Sequence, residues 1–373
     1  MIRAGLIGLG KMGMSHHAIL NAHPKVELVA ICDTSGYVLD ILNKYTGVGT
    51  YSDYRKMIDE SRLDCIVVAT PSRFHAEMVR YALEHGLHVF CEKPFCLDLR
   101  EGQSLIELAN SRKLVNQVGY HYRYVDAFRE AMRLLQAGVL GKLHHLRAEA
   151  YGPVVLRSAG STWRSRKSEG GGCLYDYASH ALDLVNMLVG APEAVSGAVL
   201  NAVFSRDVED EVYATLHFSD GLTGQIAANW SDESHRKMST KITVWGQNGR
   251  IAVDRQECQI YLRSEVTGSV VLPKGWTIRY STDLVEPVWF YLRGEEYSKQ
   301  IDHFIQSVKG SNDKTFSTFA TALATDRVIH AIKLNCETGR TEVNGRAPAA
   351  IAEKRGIFGF KKRIGPPTAR RSE

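Results

Sequence analysis

Three groups of residues in this chain have types and spacings that suit chemistry. The first is Gly8-Leu9-Gly10-Lys11-Met12-Gly13, directly after an apolar run and at the start of a helix-period stretch. In that context Gly8 permits a tight turn, Gly10 lets a pyrophosphate approach the backbone, and Gly13 allows close helix–strand packing. Backbone N–H groups from this loop, Lys11 and Met12 included, and the helix dipole then attract phosphate. Asp33 lies 20 residues beyond Gly13, at the end of the next apolar run. Its carboxylate suits a ribose 2′-OH and repels a 2′-phosphate, so NAD is expected as cofactor, ahead of NADP.

The second group is Glu92-Lys93-Pro94, closing the run LHVFC. A Lys at the carboxyl end of a parallel strand points toward the ligand crevice. There it can donate to a substrate hydroxyl and favour its alkoxide, although the tripeptide alone reads equally as a surface Lys after a strand. The third group is Gly170-Gly171-Gly172 followed by Asp176, His180 and Asp183 at i, i+4 and i+7. On a helix these three share one face, opposite an apolar stripe. A carboxylate one turn from an imidazole can orient it and favour its protonated form. The glycines would allow close substrate approach. Taken alone, such a pair also fits a buried polar network.

These groups need elements to hold them. Residues 1 to 120 alternate short apolar runs (IRAGLIG, VELVAIC, DCIVVAT, LHVFCE, KLVNQVGY) with amphipathic stretches such as Phe74 to His85 and Leu99 to Arg112. That alternation predicts βαβ units on a parallel sheet covered on both faces. Beyond residue 122 come a helix (Val125 to Ala137), a strand (LHHLRAEAYG), a basic loop and a helix from Cys173 to Val189. From Ala194 to about Leu272, strand-like runs separated by short turns predict an antiparallel sheet. Two helices follow, Glu296 to Val308 and Thr318 to Asn335.

The chain has 373 residues and a formal charge of +5. Residues 353–373 hold seven basic residues against two acids, which accounts for the whole excess. The neutral body argues against a nucleic-acid or membrane partner, and the basic tail is expected to be flexible. No apolar run approaches the ~20 residues that span a bilayer, and the N-terminus lacks a signal-peptide pattern. Seven Cys without a C-x-x-C pair read as a reduced set, so a cytoplasmic location is expected. The His pairs 16/17 and 144/145 form no metal constellation, and no metal is expected.

With Gly8 to Gly13, ATPSRFHAEM and CEKPF together, the chain resembles the glucose–fructose oxidoreductase/inositol dehydrogenase (Gfo/Idh/MocA) family from Ile2 to about Asn335. The resemblance implies an α/β protein: a doubly wound Rossmann domain over 1–121, then an α/β domain over 122–340. The second carries a large open, mainly antiparallel sheet, often used for assembly, so a homodimer or homotetramer is expected. By the same likeness Thr70, Pro71, Ser72 (where the family usually has Asn), His75, Glu92 and Lys93 belong to the cofactor site. Lys93, Asp176 and His180 would be catalytic, with His180 as acid/base and Asp176 as its partner; Asp183 is left structural. Lys93, His121, Arg123, Trp163, Arg164, Asp176 and His180 would meet a sugar-like substrate. Arg157, Arg164, Arg166 and Lys167 either bind a substrate anion or form a solvated basic loop. The implied activity is hydride transfer between a sugar or cyclitol carbinol carbon and a nicotinamide. The family's other implied readings are an NAD-dependent glycosidase and a non-catalytic cofactor-sensing regulator.

Overall fold

The computed structural model describes residues 1–155, 163–310 and 316–339. Arg157 and the tail at 353–373 lie outside the described residues. The N-terminal part alternates strand and helix: β1 (Ile2–Ile7), α1 (Lys11–Ala22), β2 (Val26–Cys32), α2 (Gly36–Thr46), β3 (Gly49–Tyr51), α3 (Tyr54–Glu60), β4 (Cys65–Val68), α4 (His75–Glu84), β5 (His88–Cys91), α5 (Leu99–Ser111) and β6 (Asn116–Val118). The strands form one sheet in the order β3-β2-β1-β4-β5-β6, with every pairing parallel. The order reverses between β1 and β4, which opens a crevice at the strands' carboxyl ends. Strand β4 (CIVV) is buried throughout, as a parallel strand covered on both faces must be.

The remainder runs α6 (Asp126–Gln136), β7 (Leu143–Tyr151), a π-helical turn (Leu174–Ala178) leading straight into α7 (Ser179–Val189), then β8 (Ala194–Asn201), β9 (Glu211–His217), β10 (Thr223–Asn229), β11 (Ser239–Gly246), β12 (Gly249–Val253), β13 (Glu257–Leu262), β14 (Gly275–Tyr280), α8 (Ser281–Leu284), α9 (Glu295–Val308) and α10 (Phe319–Thr338). Its eight strands form a sheet in the order β14-β13-β12-β11-β7-β10-β9-β8. Only β7 and β10 pair in parallel. Alternation along the strands sets one face against the helices: Leu146, Ala148, Val212, Ile226, Val244, Ile251 and Ile260 pack with Leu182, Val185, Phe128 and Ile329. The other face keeps Tyr213, Tyr261, Trp276, Ile278 and Tyr280 exposed.

The expected boundary at 121/122 is crossed twice by the chain. Helix α9 buries Tyr297, Ile301, Phe304 and Ile305 with Leu28, Ile31 and Phe90 of the parallel sheet. Helix α10 places Phe319, Ala322 and Leu323 in the cluster of Cys91, Phe95 and Leu105. Met1–Gly339 is accordingly one compact unit. Among the described residues no helix is long and apolar enough to cross a membrane.

Candidate active site

The glycine loop has the conformation its sequence demands. Gly8 takes φ +92°, and a Cβ there would lie 2.8 Å from the Ala69 carbonyl oxygen. A Cβ on Gly13 would lie 1.8 Å from the carbonyl oxygen of Gly8, so helix α1 can start this close to β1 only with glycine. At Gly10 nothing lies within 4 Å of a Cβ position, and no side chain caps α1. The first N–H groups of α1 therefore face an open cradle suited to phosphate. Asp33 is fixed by two backbone donors: Leu9 N–H to Oδ2 at 2.6 Å and Ser35 N–H to Oδ1 at 2.8 Å. A carboxylate held at the end of β2, above an uncapped helix start, fits a dinucleotide carrying a free 2′-OH. Lys11 is exposed and Met12 half-buried at this cradle.

Two turns border the crevice on the other side of the switch point. Thr70 and the exposed Pro71 follow β4, and Glu92-Lys93-Pro94 follows β5, with a cis Lys93–Pro94 bond. His75 joins the turns: Nε2 lies 2.9 Å from the Thr70 carbonyl and Nδ1 2.8 Å from that of Pro94. It is fully buried, and burial depresses its pKa below the ordinary value. The expected cofactor contact at His75 is thus corrected: its ring is buried between the two turns, and its single N–H is donated to one of these carbonyls. Glu92 is likewise buried, with Oε1 2.6 Å from His16 Nε2. It props the strand end from below, and a Cβ on Gly119 would lie 2.9 Å from its carboxylate. Ser72 is buried too, 3.4 Å from a Cβ position on Gly170.

Lys93 reaches across to the second half of the molecule. Its Nζ donates to the Asp176 carbonyl at 3.0 Å and to Asp176 Oδ1 at 3.1 Å. Arg164 Nε donates to Asp176 Oδ2 at 2.8 Å, while its guanidinium lies over Trp163, 5.0 Å from the ring centroid. Burial would raise the Asp176 pKa, but Lys93 and Arg164 outweigh it and hold the carboxyl below its ordinary value. An ammonium has three donors. Asp176 takes two, leaving one for a ligand oxygen.

Asp176 sits in the π-helical turn and His180 one turn later, on α7. No hydrogen bond joins them; Oδ1 of Asp176 faces Lys93 and Oδ2 faces Arg164. The expectation that Asp176 orients His180 and favours imidazolium is therefore corrected. Burial, then Lys93 and His121, hold the His180 pKa well below its ordinary value. The imidazole is kept neutral, and its buried Nδ1 has no protein partner among the described residues. Aromatic rings position it instead: His121, Tyr122 and Tyr120 lie 4.9, 5.2 and 5.9 Å away between centroids. His121 in turn stacks on Tyr297 at 4.5 Å, with Tyr297 Oη 3.3 Å from His121 Nε2.

Two further expectations change. Arg123 donates to both oxygens of Asp183 at 2.7 Å and to the Phe316 carbonyl at 2.9 Å. Both partners are buried, so Arg123 fastens the 3-10 turn at His121–Tyr124 to α7 and is spent before any substrate arrives. The three glycines accommodate protein, not substrate. A Cβ on Gly171 would lie 2.3 Å from the Arg164 carbonyl oxygen, and one on Gly172, at φ +109°, 2.1 Å from Glu209 Oε1. Glu209 then caps the π turn through Leu174 N–H at 3.1 Å. In the basic loop Arg166 pairs with Glu169 at 3.0 Å and Lys167 is exposed. Sequence reasoning passed over Tyr297 and Glu296 of α9 and Arg255 of the turn between β12 and β13; the tight Arg255–Glu296 pair, 2.5 Å apart, carries no linear signal.

Residues 2–120 match the family described as "Oxidoreductase family, NAD-binding Rossmann fold", and residues 128–252 match the GFO/IDH/MocA C-terminal domain. Together the two matches span more than half of the chain. The chain belongs to the Gfo/Idh/MocA family. Residues 2–120 are an NAD-binding Rossmann domain, and the protein is an NAD-dependent oxidoreductase. Within this Gfo/Idh/MocA family it is similar to the levoglucosan dehydrogenase of Pseudarthrobacter phenanthrenivorans, 25% identical over 308 residues, which cover 71% of this chain and 77% of that protein. It is also similar to the scyllo-inositol 2-dehydrogenase (NAD(+)) of Bacillus subtilis, 26% identical over 321 residues, 84% of this chain and 87% of that one. A solved levoglucosan dehydrogenase in complex with NADH has the same fold, with a TM-score of 0.80 at 23% identity over 90% of this chain and 97% of that one.

Proposed function

We propose that this protein oxidises a secondary hydroxyl of a sugar or cyclitol with NAD, using Lys93, Asp176 and His180. The observation that carries the reading is the crossing of Lys93 from the end of β5 onto Asp176, one turn before a neutral His180. The names of the relatives give the substrate class. Bound at Gly8 to Gly13, Asp33 and the Thr70 and Lys93 turns, NAD supplies the hydride acceptor. Lys93 holds the substrate hydroxyl oxygen with its remaining N–H and stabilises the developing alkoxide. His180, kept neutral by burial and by Lys93, takes the hydroxyl proton as general base. Asp176 lies between the largely buried Lys93 and the partly exposed Arg164 and offsets one of their two positive charges. Trp163, Arg164 and His121 frame the flat faces and hydroxyls of a ring.

The seven free cysteines suit a reducing compartment, which supports the cytoplasm as its location. The exposed aromatic face of the antiparallel sheet supports assembly into a homodimer or homotetramer. The test is a panel of sugars, cyclitols and nucleotide sugars with NAD and NADP, read by absorbance of the reduced cofactor. Turnover with NAD on a sugar or cyclitol is expected; NAD binding without turnover on any of them overturns the reading.

A further inference from the structure

Arg293 has no place in the mechanism above. Among the described residues it is one of three non-glycine residues with a left-handed backbone, at φ +67°. Such a conformation in a bulky residue marks a position that its surroundings hold for a reason. The surroundings are definite. The next residue, Gly294, is at φ +146°, and a Cβ there would lie 2.3 Å from Glu296 Oε2. Glu296 is anchored by Arg255. The turn into α9 is thereby fixed, and it swings the Arg293 side chain back over the parallel-sheet half.

There the guanidinium lies over the Tyr297 ring, 5.3 Å from its centroid, and Nη1 is 3.4 Å from Ser15 Oγ. Ser15 is on α1, one turn beyond the N–H groups of the phosphate cradle, and its own hydroxyl donates to the Lys11 carbonyl. Tyr297 is the ring on which His121 stacks, beside His180. Arg293 therefore stands between the start of α1 and the catalytic imidazole. Among the described residues no carboxylate lies within ion-pair distance of it. Arg293 is exposed, and a guanidinium whose π-face is taken by Tyr297 and which has one long contact to a hydroxyl presents most of its five donors to solvent, where an anion can take them.

We propose that Arg293 is a cofactor-binding residue, a clamp from the second half of the molecule that closes on the dinucleotide pyrophosphate opposite the glycine loop. This rests on the NAD site described above and adds a charged contact that the Rossmann motif lacks. The backbone cradle at Gly8 to Gly13 offers dipoles only; Arg293 brings a full charge whose fork matches phosphate oxygens. It also couples the two halves of the fold, because α9 carries Tyr297 to the substrate side.

The test uses the full-length protein and direct titration with NADH, followed by its fluorescence, in Arg293→Ala, Arg293→Lys and Arg293→Gly. Arg293→Gly removes the charge while relieving the left-handed strain, so a loss there does not come from misfolding. The expected result is a 10- to 100-fold weaker NADH and ADP-ribose affinity in the Ala and Gly variants, on the scale of a lost charged hydrogen bond. Arg293→Lys should recover part of it, and adenosine, which has no phosphate, should bind all forms alike. The sugar KM at saturating NAD should move less than twofold. NADH affinity unchanged within twofold would falsify the clamp, and so would a rise in KM confined to anionic sugars, which would assign Arg293 to substrate. Failure of wild type itself to bind NADH would instead count against the cofactor site as a whole.

Discussion

At the level of single residues, the site separates charge that is held from charge that is used. Asp176 stays ionised because Lys93 and Arg164 face it; His180 stays neutral because burial and the same Lys93 oppose a second positive charge. A general base whose pKa is depressed well below about 6.5 is still largely unprotonated at that pH and takes up its proton only further down. For oxidation, kcat/KM should therefore stay level as pH falls from 8 through about 6.5 and decline only further down. A limb at or above about 6.5 that disappears in His180→Asn would contradict the neutral-base assignment. His180→Asn itself should cost about 10²- to 10⁴-fold in kcat, the usual worth of a positioned base. Much of this was legible in the linear pattern. The spacing placed Gly8, Gly10 and Gly13 at the passage from β1 into α1, Asp33 after β2, Lys93 after β5 and His180 on a helix, and they lie there. What could not be read was pairing: whether Asp176 serves His180 or Lys93 depends on where β5 ends relative to α7, and residues 83 positions apart carry no mutual signal.

Among the elements, the π-helical turn and α10 did most to change the expected picture. An i, i+4 pattern presumes an unbroken α-helix, and the turn at Leu174–Ala178, capped by Glu209, is invisible to it. Strand β3 was also silent, since three residues (GTY) offer no apolar run. Helix α10 carries a different kind of surprise in Asp326. It is buried against Cys96, whose N–H and Sγ face its Oδ2 at 3.4 and 3.8 Å, and burial pushes its pKa up to about 8. An acid with a raised folded pKa binds more protons folded than unfolded, so its destabilisation grows as pH rises from about 3.9 to about 8. Asp326→Asn keeps the shape and the contact to Cys96 N–H but cannot ionise. Its thermal stability should exceed that of wild type by an amount that widens between pH 5 and pH 9, reaching on the order of a few kcal/mol. Equal unfolding midpoints for the two proteins across that range would show that Asp326 is not a buried acid of this kind.

For the whole molecule, both sheets were legible for opposite reasons. The parallel sheet reads as solid apolar runs because both faces are covered; the antiparallel one reads as alternation because one face is not. The return of α9 and α10 to the first half had no such signature, since an amphipathic helix does not name its partner. The uncovered face is where assembly is expected. Trp276, Ile278 and Tyr280 alternate along β14 with Tyr261 beside them, the Tyr261 and Trp276 rings 5.2 Å apart. Replacing Trp276 and Tyr280 together with Glu should shift the protein to monomer in sedimentation while preserving its NADH affinity. A wild-type monomer at micromolar concentration would remove that face from the account.

The central claim is that Lys93 activates a sugar or cyclitol hydroxyl beside NAD. Its most direct test is the rate of reduced-cofactor formation with the best substrate of the panel, in wild type and Lys93→Met, with NADH affinity measured on the same samples. Wild type is expected to turn over, with a loss of about 100-fold or more in Lys93→Met and NADH bound within a few fold as tightly. A Lys93→Met protein that binds NADH and turns over like wild type would contradict it.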